Sequence, residues 1–178
     1  MPKKQRHRQL TNKKSASPKA SRPYMPGYGL PKSTKGLLPW KWAESRLKKN
    51  HNYWIITVRP DGRPHAMIVW GLWMDGAFYF STGRQSRKAQ NLAKNANSII
   101  GTERADQAVV VEGVAEEVGD VEVRRRFLRI YKKKYDWDMA SFEEGILSLK
   151  EPIYAVRPKV VFGLDEEKFQ SAATRWVF

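Results

Sequence analysis

The run Ser81-Thr82-Gly83-Arg84-Gln85-Ser86-Arg87-Lys88 has the residue types of an anion site. An apolar, strand-like stretch ends at Ser81 and a helix-forming stretch begins at Ser86. The unpaired N–H groups of a helix N-terminus attract anions. Thr82 and Ser86 add hydroxyls, Arg87 a two-pronged guanidinium and Lys88 a compact point charge. Together these suit a phosphate group, and Arg84 would extend the basic groove. The same residue types also make an ordinary capped helix with surface cations. The spacing is not that of a glycine-rich triphosphate loop, because the Gly-Lys step is absent.

Other chemistries find less support. The 178 residues contain no cysteine, which excludes disulfides, thiolate metal sites and a thiol nucleophile. His7, His51 and His65 are scattered without metal-ligand spacing, so no metal site is expected. His65 opens a strand, where it either faces a ligand or packs into the adjacent turn. Asp136, Asp138, Glu143 and Glu144 read as solvated, or paired with the basic run 124–134. Neither a paired-carboxylate glycosidase nor a Ser-His-Asp hydrolase is supported.

The elements that must position the anion site follow from periodicity and turn chemistry. Residues 37–49 predict a helix, with Pro39 in its first turn and Trp40, Ala43 and Leu47 on one face. Residues 53–58 (YWIITV) are β-branched and aromatic, hence a strand. An Asp61-Gly62 turn leads to a second strand over 65–73, apolar on both faces and therefore expected to be buried. Trp70 and Trp73 should point to opposite sides of it. Asp75-Gly76 then turns into a third strand, 77–81, completing an antiparallel meander. A short helix over 86–95 precedes strands 98–103 and 108–118, with Gly113 at a bulge or close approach. Residues 120–135 predict a helix with Val121, Phe127, Leu128 and Tyr131 buried and Arg124, Arg125, Arg126, Arg129 and Lys132–Lys134 on its polar side. A further helix over 140–149 precedes strands 153–157 and 159–164, separated by Pro158. Six or so antiparallel strands with helices between them predict a fold that is mainly β with α additions, a small closed or split β-barrel.

The formal net charge is +15, but it is unevenly placed. Residues 1–36 hold ten Lys or Arg and no Asp or Glu, leaving +5 for residues 37–178. Five prolines and no hydrophobic period predict a flexible basic tail over 1–36, with the folded domain over 37–178. Such a tail is a solubilising arm or a salt-sensitive contact for nucleic acid or another polyanion. It has no apolar core of a secretory signal, and no apolar run in the chain reaches the roughly 18–20 residues of a membrane span. A transit peptide would share its basic, acid-free composition but not its lack of an amphipathic period. A cytoplasmic, non-membrane protein is expected.

The array of the 53–58 strand, Asp61-Gly62-Arg63-Pro64, the 65–73 strand, Phe78-Tyr79-Phe80-Ser81-Thr82 and Ser86-Arg87-Lys88-Ala89-Gln90-Asn91-Leu92 resembles the pyridoxamine 5′-phosphate oxidase-like, flavin-binding split-barrel superfamily. Val111-Glu112-Gly113 fits a strand usual in that superfamily. The closing Ala173-Thr174-Arg175-Trp176-x-Phe178 is similar to the branch containing reductases that use the deazaflavin F420. The resemblance implies a six-stranded antiparallel split β-barrel that binds a flavin, as a homodimer with FMN or F420 in the cleft between two barrels. Ser81, Thr82, Ser86, Arg87 and Lys88 would hold the cofactor phosphate, and Met67, Ile68 and Val69 would lie along the ring. Trp176 either docks on the cofactor cleft or the partner subunit or packs in the core. Hydride would pass directly between a small organic substrate and the ring, with no dedicated acid–base residue; Tyr79 or Arg175 would be the groups able to polarise the substrate.

The resemblance is incomplete. The oxidases proper carry an Arg and a Lys on the second strand, where this chain has Met67 and Leu72, and an Arg-x-His-x-Arg-like C-terminal motif that is missing. Oxidation of vitamin B6 is therefore not expected, and the missing cations favour F420. The alternative is a non-catalytic flavin or haem binding module, with the basic tail contacting nucleic acid or another polyanion.

Overall fold

The computed structural model describes residues 17–138 and 140–178. In chain order the elements are β1 (Lys19–Ser21), α1 (Trp40–Lys49), β2 (Tyr53–Val58), β3 (Pro64–Val69), β4 (Leu72–Met74), β5 (Ala77–Ser81), α2 (Arg87–Lys94), β6 (Asn97–Thr102) and β7 (Gln107–Glu117). They continue with α3 (Val121–Tyr135), α4 (Ala140–Leu147), β8 (Ile153–Asp165), a 3₁₀ turn at Glu166–Lys168, α5 (Phe169–Ala172) and β9 (Thr174–Val177). The strands run in the order β1-β9-β8-β7-β6-β2-β3, with β5 also paired to β8 and β4 to β5. All pairings are antiparallel. This is the mainly-β split-barrel class with helical additions, and β1, β4 and β9 are short supplements to its longer strands.

Alternation within strands sorts side chains between two cores. Tyr53, Ile55, Phe78, Phe80, Ile100, Val109, Val111, Val156 and Val161 meet Ala43 and Leu47 of α1 in the first. Tyr79 and Ala77 of β5, Ile153 and Ala155 of β8, and Leu72 and Met74 of β4 turn the other way. They pack on Phe127, Tyr131 and Tyr135 of α3 and Ile146 of α4. Both faces of β5 are thus covered, which explains its unbroken apolar sequence.

Three expectations are corrected. The 65–73 segment is not one buried strand: β3 stops at Val69 and is largely exposed, whereas β4 begins at Leu72 and is buried. Between them the Gly71 N–H donates to Tyr135 Oη at 2.8 Å, and its carbonyl accepts from Lys134 Nζ at 3.0 Å. Side chains of α3 thereby replace a neighbouring strand, and the chain leaves the sheet. A Cβ at Gly71 would stand 2.3 Å from Phe78 Cζ, so the corner demands glycine. The three-strand meander consequently does not exist, because β5 pairs with β8 rather than β3.

The second correction concerns residues 1–36. Residues 19–21 form β1 on the free edge of β9. Arg22 donates to the carbonyls of Ser33, Lys35, Ser171 and Ala173, stapling this stretch to the chain's end. Hydrogen-bonding capacity, not hydrophobic period, orders it. The remainder of the proposed tail, with six of its ten cations, lies outside the described residues.

Third, β8 is continuous through Pro158. Pro158 pairs with Gly113, and the register slips there by one residue, leaving Lys159 unpaired in the β7 ladder. The bulge expected at Gly113 is thus present, and a Cβ on Gly113 would meet the Arg157 carbonyl at 2.3 Å. Among the described residues no helix is long and apolar enough to cross a membrane.

The Gly71 corner has a titrating component. Lys134 Nζ donates to Tyr53 Oη at 2.8 Å as well as to Gly71, beside the faces of the Tyr53 and Tyr135 rings. Burial lowers its pKa from 10.5 to about 8, with Glu103 opposing weakly. The unfolded chain then holds more protons than the folded one above about pH 8, so this group makes stability rise with pH from about 8 towards 10.5. Urea unfolding between pH 7.5 and 9.5 should show that rise, and Lys134→Met should remove it. Equal slopes in both proteins would show that Lys134 is charged in the fold throughout.

Candidate functional site

β5 ends at Ser81, and its ladder to β8 closes with the Ser81–Ile153 pair. Residues 82–86 then turn into α2. The Ser86 N–H donates to the Gly83 carbonyl at 2.9 Å. Ser86 is the N-cap of α2, its Oγ accepting from the Ala89 N–H. Thr82 Oγ1 and Ser86 Oγ lie 3.0 Å apart, so two hydroxyls stand side by side at the helix mouth. With Ala89 and Gln90 bonded to Ser86, the N–H groups of Arg87 and Lys88 have no partner among the described residues. Neither side chain has a carboxylate partner there. Arg87 is exposed; Lys88 is half-buried, and its desolvation lowers its pKa.

A buried link sets this helix against the β2–β3 hairpin. Asn91 Nδ2 donates to Thr57 Oγ1 at 2.9 Å, and neither residue is exposed. Thr57 pairs with His65 across the hairpin. The imidazole pKa of His65 is lowered first by desolvation and then by Arg59, Lys88 and Arg87. Arg59 and His65 therefore belong to the same electropositive neighbourhood as the start of α2. The asparagine belongs to the Ser86–Leu92 motif; Thr57 and Arg59 carry no signal in the sequence, and Thr57 meets His65 because the turn closes with the Arg59–Arg63 pair rather than tightly around Asp61-Gly62.

β3 is an open edge. The Arg59 N–H donates to the Arg63 carbonyl at 2.9 Å, which fixes the phase of the hairpin ladder. By alternation His65, Met67 and Val69 bond to β2, while Ala66 and Ile68 direct their backbone groups outward. Pro64, which has no N–H, falls on the outward set and wastes no donor. Met67 and Ile68 are 47% and 54% exposed, and Trp54, opposite Ile68, is 43% exposed. An apolar strip with free main-chain groups thus adjoins the cation cluster.

The site residues named from sequence do not all converge. Thr82, Ser86, Arg87 and Lys88 come together, and Met67, Ile68 and Val69 form the neighbouring edge. Ser81 instead lines a cavity of about 320 Å³, with Thr82, Gly83, Tyr131, Trp137, Phe142, Ile146 and Glu151. Trp176 is core: it is 1% exposed and packs edge-on against Trp40 and closely over Gly163. Its position on β9 points it inward, so it reaches no cleft within this chain. Arg84 does not extend the groove, because Glu117 and the carbonyls of Leu149 and Lys150 take up its guanidinium. Tyr79 is 5% exposed against α3, and burial raises its pKa. The Arg175 backbone pairs with Ser21 and Phe162, away from α2.

The donor set fits a phosphate: two hydroxyls, and two N–H groups and two cations that have no partner among the described residues. The β3 edge fits a flat ring with a polar rim.

Comparisons with known proteins agree with this architecture. The family model for pyridoxamine 5′-phosphate oxidase matches residues 41–164. No curated protein sequence matches the chain. Among solved structures, an F420 reductase is 23% identical with a TM-score of 0.55, over 66% of this chain and 94% of that one. A conserved hypothetical protein from Mycobacterium tuberculosis is 21% identical with a TM-score of 0.65, over 76% and 90%. The haem storage protein of Vibrio cholerae is 16% identical with a TM-score of 0.51, over 67% and 86%. These likenesses are of fold. The family match spans more than half of the chain, including both the β3 edge and the mouth of α2, and the chain belongs to the pyridoxamine 5′-phosphate oxidase family.

Proposed function

We propose that this protein is a homodimeric oxidoreductase that binds a flavin-type cofactor, FMN or F420, and passes hydride to or from a small organic substrate. The observation that carries the reading is the pair of cations, Arg87 and Lys88, without a carboxylate partner among the described residues, on a helix mouth flanked by two hydroxyls. Thr82, Ser86, Arg87 and Lys88 hold the phosphate through charge-assisted hydrogen bonds. The outward backbone groups of Ala66 and Ile68 bond the ring's polar rim, and Met67 and Ile68 shield it from water. The bound ring supplies the hydride chemistry; the chain binds, orients and excludes solvent.

A second copy covers the apolar face that includes Trp54 and Ile68 and continues into a groove of about 360 Å³ beside Ile56, Val58, Ile99 and Val160. Exposed apolar area of this kind marks an interface. Met67 and Leu72 in place of two basic residues argue against a vitamin B6 substrate, and the F420 reductase among the fold relatives favours the deazaflavin. Haem binders share the fold, so haem is the competing ligand.

The protein purified from a host that makes both cofactors tests the reading. Mass spectrometry should find FMN or F420, with its absorbance, and sedimentation should give a dimer. A preparation that holds only haem, or that takes up neither cofactor at micromolar concentration, contradicts it.

A further inference from the structure

We infer that His65 is a proton-linked contact of the phosphate site, its imidazole taking up a proton from solvent as a phosphate group docks between the start of β3 and the mouth of α2. The inference rests on the cofactor reading above and adds a residue and a regulation to it.

Position is the first support. His65 sits opposite Thr57, whose hydroxyl lies 3.4 Å from the His65 carbonyl and is bonded by Asn91 of α2. The hairpin and the helix are therefore held together at this point. The second support is unspent hydrogen bonding. His65 Nδ1 is shielded from solvent and has no partner among the described residues, so the ring does not cap a bond of the fold. Asn91 Oδ1, fully buried on the adjoining turn of α2, is likewise without a partner. Buried polar atoms left open in this way are uncommon unless something else meets them.

The charges supply the coupling. Arg59 from the hairpin and Arg87 and Lys88 from α2 act on the imidazole, and among the described residues no carboxylate opposes them. Asp61, in the same turn, is engaged by Arg63. Desolvation first, and then the three cations, disfavour the protonated ring in the free protein. A phosphate placed among the cations offsets much of their field and offers the ring an anionic acceptor, which favours the imidazolium. Its added N–H then donates to the phosphate, so proton and anion bind cooperatively.

The shared chemistry is the phosphate group, presented as a monoester by FMN and as a diester by F420. The test follows the histidine ring resonances of the full chain through pH, with His7 and His51 as internal references. The midpoint of His65 should lie below the ordinary histidine value in the free protein and rise by about one pH unit or more with FMN or F420. Riboflavin, which lacks the phosphate, should leave it unchanged. With His65→Asn, F420 affinity should lose most of its dependence on pH between 6 and 8, where the diester itself does not titrate. A His65 midpoint unmoved by bound FMN and F420 overturns the inference and leaves the cofactor reading intact. If neither flavin binds, the cofactor reading falls. Inorganic phosphate then decides the inference alone, by raising the His65 midpoint or failing to.

Discussion

Replacing Arg87 and Lys88 together by alanine should weaken FMN or F420 binding by about two orders of magnitude while leaving the fold intact. Each side chain makes a charge-assisted contact to phosphate worth about 1.5–3 kcal/mol, and about 3 kcal/mol is already more than a hundredfold. Neither residue has a carboxylate partner among the described residues, so no buried charge is orphaned and the melting temperature should stay within a few degrees. The general loss of positive charge is controlled by Arg129→Ala with Lys133→Ala, two exposed cations on α3. That variant should bind within about twofold of the unaltered protein. Equal losses in the two variants would mean that net charge rather than a site attracts the cofactor.

The largest expected change in stability lies at Arg124. It is fully buried. It donates to the carbonyls of Val118 at 2.6 Å, Ile146 at 2.6 Å and Glu151 at 2.8 Å. The guanidinium thus joins the end of β7, the end of α4 and the loop into β8. Arg124→Leu fills some of the volume but leaves three carbonyls without donors, at about 1–3 kcal/mol each. Some would regain water, so the net loss should be about 3–5 kcal/mol, lowering the melting temperature by about 10 °C. The effect should extend to the cofactor, because Glu151 also accepts the Arg84 N–H at 2.8 Å in the turn that carries Thr82 to Ser86. Thermal unfolding of a stable, unshifted Arg124→Leu protein would show that these carbonyls find other donors at little cost.

Arg124 also shows where sequence reading stops. Helical period gave the length and buried face of α3 correctly at Phe127 and Tyr131, but charge alone put Arg124 with the solvent-facing cations. An arginine surrounded by carbonyls is spent on the backbone, and two of the three carbonyls come from segments more than twenty residues away. Trp176 is the converse case: an aromatic near the chain's end fits a cleft, a partner surface or a core equally well, and β9 turns it into the core over Gly163. Local signals served best where the chemistry is local. Ser86 caps α2, Thr82 stands beside it, and Gly113 makes a close approach, all as residue type and spacing implied. The break at Trp70-Gly71 was illegible because it depends on Tyr135 and Lys134, on a distant helix. The exposed β3 edge looked like a buried strand for the same reason: apolarity is needed both in a core and along a ring or partner surface, and sequence does not distinguish them.

The central claim is that a phosphate-bearing flavin or deazaflavin lies along β3 with its phosphate at the mouth of α2. Backbone amide resonances of the isotope-labelled full chain, recorded through titrations with FMN and F420, test it most directly. The account predicts saturable shifts, for at least one of the two ligands, concentrated at Thr82, Arg87 and Lys88 and at Ala66 and Ile68, with riboflavin moving only the β3 set. Shifts confined to the cavity around Trp137 and Phe142, or no saturable shifts with either cofactor, would contradict it.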